Sequence, residues 1–180
     1  MRKLSGNHEA RLEQGKQLLE SFRNEPPETL LSILEQQQGE LTTELADLSE
    51  AQGAFTPGPD EWSVLDTCSH LAHSIRNTAL LARSLVGGKV PQIEGRIQGG
   101  VRDTSIATLA DARAGLDKAF AAMTKATRNL EADCDDETLF EHPWFGPMNA
   151  KGWVAFNALH VMVHIEQIER IKESEDFPAS

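Results

Sequence analysis

Four long stretches of this chain carry apolar residues at three- and four-residue spacing, and proline or glycine stands between each stretch and the next. That spacing puts the apolar side chains on one face of a helix, and the breaks set where each helix must stop. Leu30, Ile33, Leu34, Leu41, Leu45 and Leu48 form the first stripe and predict a helix over 28–48. A second helix is expected over 63–86, with Ser63 as its N-cap and Gly87-Gly88 beyond its end. A third is expected over 104–131 and a last over 150–174. Strand signals are nearly absent: the chain has no tyrosine, little apolar/polar alternation, and an excess of Ala, Leu, Glu, Gln and Arg.

The predicted class is therefore all-α, a four-helix bundle. Residues 8–23 read as an extra short N-terminal helix, stopped by Asn24-Glu25-Pro26-Pro27. Residues 89–103 make a connection long enough to cross one end of the bundle, and 139–147 read as an irregular aromatic loop. The domain reading is an extension over 1–27, the bundle over 28–175 and a flexible tail over 176–180.

Composition narrows the partners. A formal charge of −11 leaves no cluster of Lys and Arg for phosphates, so no nucleic acid is expected. No apolar run is long enough for a membrane span, and the polar N-terminus is unlike a secretory signal. Cys68 and Cys134 are too few and too far apart for a disulfide framework, which points to the reducing cytoplasm. Cys68 is expected in the core. A homodimer is compatible with a small bundle, although no exposed apolar stripe marks one.

The last helix carries the sharpest functional signal. At about 100° per residue, His160 and His164 fall in the middle of its apolar stripe with Trp153, Phe156, Asn157, Gln167 and Ile168, while Met162, Glu166, Glu169 and Glu173 fall opposite. Two histidines at i, i+4 bring both imidazoles to one point, and burying them without a shared partner leaves ring nitrogens unpaired. A metal would provide that partner and needs at least a third protein ligand. His70, His73, His142 and His8 are the remaining histidines. On the second helix, periodicity turns His70 toward Thr67, Ser74 and Leu81, and leaves His73 in a polar arc with Asp66, Arg76, Asn77 and Arg83.

Taken together, Glu61-Trp62-Ser63, His70-Leu71, His142-Pro143, Phe145-Gly146-Pro147, Gly152-Trp153 and His160-x-x-x-His164-x-x-Gln167-Ile168 resemble the DinB-like superfamily of metal-dependent bundle proteins. The resemblance covers about residues 28–175. It implies an up-down-down-up bundle in which His70, His160 and His164 hold a divalent transition metal. It also implies a metalloenzyme acting on a small molecule, since relatives include transferases and isomerases that use a low-molecular-weight thiol.

Imidazoles suit zinc, nickel, copper and iron, with zinc or nickel the leading candidates. Three histidines leave coordination positions open, as catalytic sites do. No general base for hydrolysis stands out: Asp66, Glu141 and His142 qualify only by position in sequence. That weighs toward a thiol-dependent transferase over a hydrolase or a non-catalytic metal-binding bundle. Gln167, Asn157 and His73 are expected around the ligands, and Trp144 as a pocket wall.

Overall fold

The computed structural model describes residues 8–92, 100–131 and 137–179. Cys134, the centre of the 89–103 connection and most of the acidic loop at 133–137 lie outside the described residues. The helices are α1 (His8–Asn24), α2 (Pro27–Leu45), α3 (Glu50–Ala54), α4 (Val64–Val86), α5 (Leu109–Arg128) and α6 (Ala150–Lys172), with β1 (Phe140–His142) and β2 (Gly146–Met148) before the last.

Helix directions follow from the side chains that join them. Gln37 reaches the Ala158 carbonyl and Lys172 reaches Glu44, so residue numbers rise together and α2 runs parallel to α6. Gln38 meets Asp117 while Arg113 meets the Leu45 carbonyl, so α2 and α5 are antiparallel. His70 meets His160, and Ser74 one turn further along α4 meets the opposite side of the same ring, whereas His164 closes on it from beyond; α4 and α6 are antiparallel. It follows that α4 and α5 run parallel, which gives the up-down-down-up order and requires the long crossover between them. The core lies between these four helices, with Leu34, Leu41, Leu71, Ile75, Phe120, Met123 and Trp153 among its buried side chains.

Several boundaries differ from those the sequence predicts. Helix α2 ends at Leu45, and Ser49 caps the short α3 through a capping box with Gln52. Leu48 extends the apolar stripe past the real helix end, which hid this break. The third helix starts at Leu109 rather than near residue 104, because Thr108 and Asp111 form a reciprocal capping box there. Ser63 caps α4 as expected, with Asp66 completing the box. The aromatic loop is a hairpin pairing Phe140 with Met148, turning through Gly146 at φ +74°.

Two further features refine the sequence reading. The face of α6 opposite the histidines is not wholly in water: Met162 and Glu166 are only 1% and 5% exposed, while Glu173 near the helix end is exposed. Helix α1 packs on that side of α6, where its Gly15 lies against Leu159 and Phe145. Nor is the tail loose through its whole length. Phe177 packs edge-on against Phe55 at 5.5 Å, and Gln52 donates to the Pro178 carbonyl at 2.9 Å. One aromatic ring gives an otherwise polar tail something to bury.

Candidate metal centre

Helix α4 delivers His70, and α6 delivers His160 and His164 one turn apart. Their Nε2 atoms converge: His160 Nε2 lies 3.2 Å from that of His70 and 3.1 Å from that of His164. The potential ligand atoms all fall within 4.8 Å of one another. His70 is buried, whereas His160 and His164 keep partial access to solvent.

The other ring nitrogen of each histidine faces an oxygen. His70 Nδ1 is 2.7 Å from the Val101 carbonyl, which can only accept, so this nitrogen carries the proton. His164 Nδ1 donates to Gln167 Oε1 at 2.8 Å, and Ser74 Oγ sits 3.3 Å from His160 Nδ1, placed to accept in the same way. These contacts leave three Nε2 lone pairs aimed at one point.

Burial holds the rings neutral. It is the main force lowering the pKa of His164 to about 4, with the nearby His70 adding to it and the Gln167 hydrogen bond opposing it. Burial, followed by the charges of His164, His70 and His142, pushes His160 well below its ordinary value. His70 is lowered chiefly by burial too, against the pull of the Val101 hydrogen bond. Three neutral imidazoles with converging lone pairs repel unless a cation sits among them, so the residues present fit a divalent metal.

Aromatic rings fix this arrangement from outside. Trp62 stacks on His164 with centroids 6.0 Å apart and planes 9° from parallel, and Phe156 stacks on His160 at 5.5 Å and 21°. Beside His164 opens a cleft of about 490 Å3 between the 57–62 loop and the last turns of α6.

The family model of the DinB superfamily matches residues 33–168. The chain belongs to the DinB superfamily. Among solved structures, this DinB-superfamily chain is similar to TT2238, described as a four-helix bundle protein, with 23% identity, a TM-score of 0.63, and coverage of 80% of this chain and 98% of that one. It is also similar to YfiT from Bacillus subtilis, described as a probable metal-dependent hydrolase with an unusual four-helix bundle topology, with 14% identity, a TM-score of 0.64, and coverage of 99% and 94%. At these identities the likeness shows the fold alone. No curated protein matches the chain.

The remaining residues expected near the centre divide. Gln167 touches His164 directly. His73 stands outside the cluster, its Nε2 2.8 Å from the Asn77 amide. Asn157 is 1% exposed, and its amide has no hydrogen-bond partner among the described residues. Trp144 does not line the cleft beside His164: it is 67% exposed at the hairpin tip, where its ring meets His142. The bulky residues of that loop that do pack inward are Phe140, against Trp153, and Phe145, against Phe156.

Sequence reasoning gave no site role to several contributors. The Val101 carbonyl is backbone and leaves no side-chain signal. Ser74 registered only as a neighbour of His70 on the same helix face. Asp60 and Arg170 line the cleft beside His164 but look in sequence like ordinary surface charges, and Glu61, which also lines it, entered only as part of the Glu61-Trp62-Ser63 motif.

Proposed function

We propose that the protein is a metal-dependent enzyme, with His70, His160 and His164 as ligands, that transfers a low-molecular-weight thiol to a small-molecule substrate in the cytoplasm. The observation that carries this reading is the convergence of three Nε2 lone pairs, each fixed by an oxygen on the far side of its ring. A divalent cation held there supplies Lewis acidity, which lowers the pKa of a thiol or a water brought to it.

The chain's own residues weigh toward the thiol. Hydrolysis calls for a general base, and two of the expected bases are committed elsewhere. Asp66 closes the α4 capping box and pairs with Arg102. His142 uses Nδ1 to accept from the Trp144 and Phe145 amides at 3.2 and 3.3 Å. Cys68 is not that thiol, because burial pushes it up to about 12, a value at which it stays protonated and inert. Around the cleft, Trp62 covers one flank of the centre, and Gln167, which also lines the cleft, orients His164 through its Oε1.

A second reading, hydrolysis, draws on Glu61 and Asp60, carboxylates that line the cleft and could activate water. It also draws on the hydrolase description of YfiT. The two readings separate in one assay. Zinc- or nickel-loaded protein is given a panel of small thiols with an electrophile, and in parallel a panel of esters and amides. Thiol conjugation that disappears in His160→Ala is the expected result; turnover of esters or amides alone would transfer the assignment to hydrolysis.

A further inference from the structure

The cleft beside His164 has walls of opposite charge. The 57–62 loop contributes Asp60 and Glu61, and α6 contributes Gln167 and Arg170. Although they share the cleft, Arg170 forms no ion pair with either carboxylate or with any other among the described residues. In a chain of net charge −11, a guanidinium without an ion pair on one wall and two carboxylates on the other offer a ligand groups of both charges in one cleft. Gln167 adds to the α6 wall: its Oε1 is taken by His164, which leaves its N–H groups to donate.

We propose that this cleft selects a zwitterionic small molecule, its carboxylate on Arg170 and its ammonium facing Asp60 and Glu61, with the reacting group toward His164. The inference rests on the proposed metal reading and deepens it by naming the class of ligand. Helix geometry sets the scale. Arg170 lies six positions after His164 on one helix, so the carboxylate lies about 9 Å along the axis from the histidine. A volume of about 490 Å3 holds a molecule of that length. A guanidinium matches a carboxylate through two parallel hydrogen bonds, which sets direction as well as affinity. The carboxylates on the loop wall add a place for a cation, so a ligand that carries both charges engages both walls.

The test uses cobalt(II)-loaded full-length protein and reads binding from the thiolate-to-cobalt absorption band, with no turnover needed. Three probes of equal length are titrated: 6-mercaptohexanoate, 6-aminohexanethiol and 6-mercaptohexanol. The expected result is a Kd about fivefold to tenfold lower for each charged probe than for the alcohol at low salt. Arg170→Gln should abolish the carboxylate preference, and Asp60→Asn with Glu61→Gln the ammonium preference. Arg83→Gln, on α4 far from the cleft, should abolish neither. Equal Kd values for the acid and the alcohol in the unsubstituted protein, or preferences that survive the cleft substitutions, overturn the inference while leaving the metal reading intact. Cobalt that does not bind, or that gives no band with any thiol, removes the metal reading and this inference with it.

Discussion

Zinc added in excess to metal-free protein should raise the melting temperature by about 5–10 °C, and His160→Ala should abolish the rise. A ligand at a hundred times its dissociation constant stabilises the native state by about 2.7 kcal/mol, and each kcal/mol moves the midpoint of a chain this long by roughly 2–4 °C. His160 is the decisive position because its Nε2 is the one within 3.2 Å of both other ligand nitrogens. Its removal leaves two imidazoles on separate helices. His73→Ala should retain the full rise, since that ring bonds Asn77 away from the cluster. A bundle whose histidines are merely hydrogen-bonded in the core would melt at the same temperature with zinc or with a chelator. Differential scanning calorimetry of the three proteins, with and without metal, decides between these accounts.

Acid should unfold the metal-free protein, with His142 as a main cause. Burial lowers this side chain to about 4, from about 6.5 in an unfolded chain. Its ring packs against Phe156 at 4.5 Å and Trp153 at 5.5 Å, and its Nδ1 accepts two backbone amides, both of which protonation there would forfeit. As pH falls below 6.5 the unfolded chain takes up a proton that the folded chain refuses. Stability present above pH 6.5 is therefore lost progressively down to about pH 4, by ~3 kcal/mol for this group alone. His160 and His164, lowered mainly by burial, act in the same direction. Urea denaturation in chelator at pH 7 and pH 4 measures the difference, and His142→Asn should shrink it by about that amount. An unchanged pH dependence in the variant would refute the assignment.

The fold was legible because each main helix carries a stripe that one face can bury, and because Ser63 and Gly87 mark their boundaries chemically. Where it was misread, a local pattern had a tertiary competitor. Leu48 continues the stripe of α2 although the chain turns after Leu45 to start α3. Glu166 belongs to a polar face by periodicity, yet α1 packs on that side of α6 and leaves little of it in water. The hairpin at Phe140–Met148 is too short to show alternation, and its turn rests on one glycine.

The candidate centre was legible for a different reason. Two histidines four residues apart on an apolar stripe need a partner, and periodicity placed His70 rather than His73 on the inward side of α4. What surrounds the rings was mostly not legible. The Val101 carbonyl reaches His70 from 31 positions away, and the cleft forms only where residues 57–62 meet the end of α6. Trp144 shows the reverse error: a large aromatic suggested a pocket wall, and the hairpin carries it out to the surface.

Metal content tests the central claim most directly. Untagged protein, purified without chelator, is analysed for transition metals beside His160→Ala prepared in the same way. The expected result is about one equivalent of zinc or nickel per chain, absent from the variant. Protein that carries no metal and takes up none when zinc or nickel is added would contradict the account and leave the three histidines as hydrogen-bonded members of the core.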